Sequence, residues 1–235
     1  MNNTFYCSSS TVCSSLPPAL TDSVLNVMIA NGTLESEEYV EESRAIAEEY
    51  LYRELADDSV LWFSDSTYIQ FMENNQDEPV AYLYDAEEYL RAAFTYDSTL
   101  IALVDSCNLQ ITALTDSIEK LEENHPAGWE VTRDQVLYTI EFLNQTIHNI
   151  YIQQEAIFND NLANAELQNN YVVNGELPEL NSTYMNEMEI NYLETGEDLH
   201  YLIENYSGLF VVASQCPYVG GAAVERARTF IALIN

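Results

Sequence analysis

Between Tyr96 and Glu123 the apolar residues fall at Leu100, Val104, Cys107, Ile111, Leu114, Ile118 and Leu121. Steps of four and three alternate without a break, the pattern of one helix laid along another. A second periodic stretch follows the interruption at Asn124–Gly128. Its seam carries Val136, Ile140, Leu143, Ile147, Ile150 and Ile157, with Tyr151 and Phe158 beside it. The two stretches predict a long antiparallel helical hairpin over about 97–167. Asp97-Ser98 is a good cap pair for the first helix, so a break is expected near Thr95–Asp97. Thr132-Arg133-Asp134-Gln135 matches a capping box and is expected to open the second helix, which reaches Leu167. Each helix of the hairpin finds its partner within the chain, so the seam predicts an internal contact and a monomer.

Shorter helical patterns surround the hairpin. Thr21 or Asp22 caps a helix closed by Asn31-Gly32. Ser36 is expected to open the next, with Tyr39, Val40, Ile46, Ala47, Tyr50, Leu51 and Leu55 on one face. The run Val60–Phe63 has no period and is expected as a turn packed into the core. A helix around Tyr68, Ile69 and Met72 follows, then a new start at Pro79. Beyond the hairpin, Asn169–Leu180 reads as a loop because of Gly175 and Pro178. Helices are expected at Tyr184–Leu193, at Leu199–Tyr206, at Leu209–Ala213 after an interruption at Gly208, and at Ala222–Leu233. Residues 1–20 read as a polar tail and 21–235 as a single helical domain with C-terminal helices over 182–235. The expected fold class is all-α, a multi-helix bundle organised around the hairpin.

Composition agrees with a folded, helical chain: 47% of residues are hydrophobic, with only 7 Gly and 6 Pro in 235 residues. Charge narrows the partners. Thirty-nine acids face seven bases, a net −32. Such a surface repels phosphate backbones and anionic bilayers, so neither nucleic acid nor direct membrane insertion is expected. Self-repulsion at this charge predicts a fold that gains stability in high salt or calcium. No window approaches a membrane span, and residues 1–20 lack the basic region and apolar core of a signal peptide.

Little in the sequence points to chemistry. There is no nucleophile elbow, phosphate loop, zinc-binding helix motif or dinucleotide fingerprint. No catalytic, cofactor-binding or metal-ligating residue is assigned, and no enzyme activity or cofactor is expected. His125, His148 and His200 read as surface histidines, including His200 beside Glu197-Asp198. The seventeen tyrosines read as core-edge residues with a wet hydroxyl, with a ligand platform as the alternative. The cysteines Cys7, Cys13, Cys107 and Cys216 are the candidates for disulfides. Cys7 and Cys13 are close enough in sequence to bridge, and Cys107 on the seam reads as a buried thiol.

One small pattern stands out. Of twelve Asp, six are followed by Ser, at Asp22, Asp58, Asp65, Asp97, Asp105 and Asp116. Helix capping explains Asp58-Ser59 and Asp97-Ser98 well, and the mid-helix Asp116-Ser117 poorly.

The C-terminal run Ala213-Ser214-Gln215-Cys216-Pro217-Tyr218-Val219-Gly220-Gly221-Ala222-Ala223-Val224-Glu225-Arg226-Ala227-Arg228 resembles a segment of large secreted and surface proteins of the Bacteroidetes. There it lies shortly before the C-terminal sorting domain of type IX secretion. Ile190–Gly196 and Ala45–Leu55 are similar to helical stretches of the same region. The resemblance implies an exported, oxidising setting at the cell surface or outside the cell. It implies a cysteine partner for Cys216 further along the chain, and within this sequence leaves Cys107 or none. It also implies O-glycans on Asp-Ser pairs followed by an apolar residue or Thr, which Ser23, Ser59, Ser66, Ser98 and Ser117 match. The function expected is a non-catalytic structural or spacer domain, with an extracellular binding module for a glycan or partner protein as the alternative.

Independently of the resemblance, Pro217 can stop a helix and the two glycines can permit a tight turn with positive φ. Arg226 and Arg228 are expected to pair with acids.

Overall fold

The computed structural model describes residues 22–34 and 36–234, so the polar tail at 1–20, with Cys7 and Cys13, lies outside the described residues. Every regular element among them is helical, and the chain is an all-α, multi-helix bundle. In order these are α1 (Asp22–Ala30), α2 (Val40–Asp57), α3 (Ser59–Trp62), α4 (Ser66–Asn75), α5 (Pro79–Ala93) and α6 (Ser98–Asn124). They continue with α7 (Trp129–Asn170), α8 (Leu177–Glu194), α9 (Leu199–Glu204), α10 (Tyr206–Ala213), α11 (Pro217–Gly220) and α12 (Ala223–Leu233). Where the sequence predicts one domain over 21–235, the chain packs as two compact units. One holds the described residues up to Leu90 and those from Leu162 onward; the other is Arg91–Asn161.

The second unit is built on the hairpin. Along α6, the residues withdrawn from solvent are Leu100, Val104, Cys107, Ile111, Leu114, Ile118 and Leu121, and all others are exposed. That set is the predicted seam, so the period alone determined which face turns inward. On α7 the inward face runs through Val136, Ile140, Leu143, Ile147 and Ile150, of which Leu143 and Ile150 are buried. It then passes to Gln154 and Phe158, and the predicted seam residue Ile157 is exposed. Phe158 meets Phe94 edge-on at 5.8 Å between centroids. The break before α6 is real: Asp97 is the N-cap, and its carboxylate accepts from the Thr99 N–H at 2.7 Å.

The first unit has two hydrophobic clusters. One gathers Ile29, Leu51, Leu55, Tyr68, Phe71, Met72 and Val80 from α1, α2, α4 and α5. The other gathers Met185, Met188, Leu202, Leu209, Val212, Ala227 and Ile231 from α8, α9, α10 and α12. Helix α2 packs against both α8 and α11. A helix bearing contacts on more than one side is buried broadly rather than along one stripe. Accordingly α8 buries Pro178, Asn181, Ser182, Met185, Asn186, Met188, Ile190 and Leu193.

Several boundaries differ from expectation, each for a local reason. The helix expected from Ser36 starts at Val40. Tyr39 takes a left-handed conformation at φ 58°, and the Ser36 hydroxyl is bonded to Glu38. The expected core turn at Val60–Phe63 is the short helix α3, capped by Asp58; Leu61 and Trp62 pack inward, but Val60 and Phe63 are exposed. The Thr132 capping box does not form. Gly128, at φ 75°, turns the chain one residue before α7, and the Thr132 hydroxyl donates to the Gly128 carbonyl from inside the helix. Pro178 does not extend a loop; it sits in the first turn of α8, which a Glu176–Glu179 capping box opens. The interruption expected at Gly208 falls at Asn205; Gly208 lies within α10, and glycine is needed there because a Cβ would lie 2.2 Å from the Tyr184 hydroxyl.

Candidate functional site

The most distinctive segment of the sequence, residues 213–228, folds as the end of α10, the short α11 and the start of α12. Its polar residues meet α8. Asn181 of α8 donates through Nδ2 to Gln215 Oε1 at 2.7 Å and to the Gly220 carbonyl at 3.0 Å. Gly220 is buried in this corner, where a Cβ would lie 2.5 Å from Gln215 Oε1 and 2.6 Å from Val224 Cγ2. Gly221 turns the chain at φ 73°, with Pro178 3.0 Å from where its Cβ would be. Arg228 reaches back one helix, its Nε donating to the Ala213 carbonyl at 3.0 Å and Nη2 to the Gln215 carbonyl at 3.1 Å. Ala213 is the last residue of α10 and Gln215 follows its C-cap Ser214, so the guanidinium sits at the C-terminal end of that helix, where its dipole favours a cation.

Arg226, two residues earlier, faces a different set of helices. Its Nη1 donates to Asn186 Oδ1 at 2.8 Å and Glu87 Oε1 at 3.2 Å, and Nη2 to Glu189 Oε2 at 2.7 Å. Glu87 also accepts from Arg53 at 2.7 Å, and Arg53 lies 3.3 Å from Glu49. Asn186 continues the chain of bonds to Asn169, which donates to the Thr183 carbonyl. Two guanidinium groups thus serve three carboxylates drawn from α2, α5 and α8. Burial pushes the Glu49 carboxyl up from its ordinary value, and the nearby Glu87 charge adds to this, while Arg53 and Arg226 oppose it. Arg226 pairs with Glu87 and Glu189 and Arg228 with Glu225, as expected of scarce cations.

A cleft of about 510 Å³ lies in the same unit, lined by Arg44, Glu48, Asn74, Glu78, Glu176 and Glu179 among others. Burial raises Glu48, with Arg44 opposing and Glu78 reinforcing. Burial also raises Glu179, against the bond it accepts from the Glu176 N–H. Among the described residues no group of three or more His, Cys, Asp or Glu side chains is placed to hold a metal ion. Among the described residues no helix is long and apolar enough to cross a membrane.

The candidate cysteines separate. Cys107 is a free, buried thiol turned into the seam of the hairpin, so the Cys107–Cys216 bridge is not made. Cys216 is disulfide-bonded. The candidate glycan serines Ser23, Ser59, Ser66, Ser98 and Ser117 are all exposed. Three of their aspartates, Asp58, Asp65 and Asp97, are helix N-caps whose carboxylates accept backbone N–H bonds. The Ser117 hydroxyl donates to the Ala113 carbonyl at 2.8 Å. Of the histidines, His125 takes a left-handed turn with its ring against Trp129, and His200 lies 3.4 Å from Glu204. Asp198 caps α9, accepting from the His200 N–H.

Sequence reasoning missed the buried asparagines Asn169, Asn181 and Asn186. A signal existed: Asn181 shares its helix face with Met185 and Met188, a polar residue at core spacing. The chain was compared with family models, curated proteins and solved structures, and none matches it.

Proposed function

We propose that this chain is a non-catalytic structural or spacer domain of an exported bacterial surface protein, of the kind that precedes a type IX sorting domain. The observation that carries this is the employment of the C-terminal motif. Gln215 and Gly220 bond Asn181 of α8, Arg226 bonds acids of α5 and α8, Arg228 bonds the Ala213 and Gln215 carbonyls, and Gly221 turns the chain against Pro178. Their side chains converge on other parts of the fold rather than on open space where a substrate would sit. The disulfide at Cys216 suits an oxidising compartment, and exposed Asp-Ser pairs suit glycan attachment.

The test is the intact mass of the chain recovered from its native source. Glycan mass located on Ser23, Ser59, Ser66, Ser98 or Ser117, in protein found outside the cell, is the expected result. Unmodified protein retained inside the cell overturns the proposal. The second reading, a binding module for a glycan or partner protein, is favoured by the exposed aromatic residues Tyr138 and Phe142 on one side of α7.

A further inference from the structure

The chain has four cysteines, Cys7, Cys13, Cys107 and Cys216. Cys107 is a free thiol, 2% exposed, whereas Cys216 is disulfide-bonded. A bridge within the chain takes two cysteines. With Cys107 free, the partner of Cys216 comes from the other two, which precede α1 and lie outside the described residues. We infer that Cys216 forms a disulfide with the N-terminal segment, through Cys7 or Cys13. The start of the chain is thereby fastened covalently to the corner where α10 gives way to α11.

The backbone around Cys216 is held on both sides. Cys216 is the N-cap of α11, extended at φ −78° and ψ 131°, and it is only partly buried. Its carbonyl accepts from the N–H groups of Val219 at 2.9 Å and Gly220 at 2.8 Å. The carbonyl before it, that of Gln215, is held by Arg228. The ring of Pro217 fixes the residue that follows. A cysteine whose backbone is already fixed loses little further freedom when it bridges.

The chain is also long enough to return. Helix α1 meets α2 through Asn26, which donates to Glu54 at 2.8 Å. The end of α11 meets the same helix at Ile46, which lies 3.9 Å from where a Cβ on Gly221 would be. Ile46 and Glu54 are about 12 Å apart along the axis of α2. The stretch from Cys13 to Asp22 can reach about 30 Å, and that from Cys7 about 50 Å. Both reaches are more than twice that separation.

Forming the bond turns two thiols into one S–S bond. The two electrons and two protons pass to an external disulfide, which leaves as two thiols. The bridge closes a loop of about 200 residues that contains α1 to α10, and long loops restrict the unfolded chain most. The fold is therefore stabler oxidised than reduced. One N-terminal thiol is left over, so the oxidised chain carries two thiols and the reduced chain four. The inference goes beyond the proposed function, because it requires an oxidising environment and no particular role.

Disulfide mapping of the full chain, equilibrated with oxidised and reduced glutathione, tests it. Thiols are alkylated in denaturant, and the unreduced monomer is cut after glutamate. The expected product is fragment 1–35 joined to fragment 205–225, separating on reduction, with two thiols alkylated per chain. Cys216→Ser should remove the joined product. Reduction of the unaltered chain should lower Tm by about 5 °C or more. Cys216→Ser should show the same loss and then be insensitive to reductant. Should that variant fail to fold, the unaltered chain with and without reductant supplies the comparison. Cys216 recovered alkylated, with Cys7 bridged to Cys13 or both as thiols, overturns the proposal. So does a joined product found only in a dimer. A Tm indifferent to reduction overturns the stabilising role of the bridge.

Discussion

Arg228 shows how one side chain can carry a segment. Its guanidinium bonds two backbone carbonyls and Glu225, and it is largely withdrawn from water. Arg228→Ala leaves those carbonyls without their charged donor and should cost about 2 kcal/mol of stability in urea unfolding. Arg228→Lys should recover little of it, because an ammonium cannot reproduce the planar fork that spans two carbonyls. Gly220→Ala should be comparably damaging, since its methyl group meets Gln215 and Val224 inside normal contact distance. Cys107 offers a different check. It is 2% exposed, so a thiol reagent should label it only after unfolding, whereas labelling in the native state would place the seam elsewhere.

Among the elements, the hairpin has two faces with opposite predictions. Leu143 is buried on the inward seam of α7, and Leu143→Ala should destabilise by about 3 kcal/mol. Leu137, one face round and 47% exposed, should tolerate the same change within about 0.5 kcal/mol. Chemical denaturation of the two variants distinguishes them, and equal losses would contradict the assignment of the inward face. The seam itself was legible in the sequence because a 3.5-residue repeat over seven positions admits only one inward side. Element starts were less legible. Thr132-x-x-Gln135 has the residues of a capping box, but the chain had already turned at Gly128, so the hydroxyl found a carbonyl of its own helix. Pro178 suits either a loop or a first helical turn, and the Glu176–Glu179 pair made it the latter.

For the whole molecule, acidity governs the response to solution conditions. Glu48, Glu49, Glu179 and Asp85 are all raised above their ordinary values, chiefly by burial. A raised carboxyl binds protons more readily folded than unfolded, so its contribution to stability is greatest below its unfolded value and is lost as pH rises through the folded one. Asp97 is lowered by the hydroxyl and N–H bonds it accepts from Thr99, and Asp65 by the N–H and hydroxyl bonds it accepts from Thr67, so their contribution is lost only when pH falls below the usual aspartate range. The Tm should therefore rise as pH is brought from neutral toward about 5, and fall again in stronger acid. It should also rise between low and high salt at neutral pH, as screening relieves the net −32. A flat thermal melt against either variable counts against this electrostatic account.

Local pattern by itself determined that this chain is helical, where its longest helices lie, and which side of α6 and of the first part of α7 turns inward. Those properties follow from residue spacing, which a helix converts directly into a face. Only the tertiary structure decided the roles of the scarce polar contacts: Asn181 against Gln215 and Gly220, Arg226 among three helices, Cys107 left free while Cys216 is bonded. Such contacts join residues up to 139 positions apart, and no local period encodes which acid an arginine will meet.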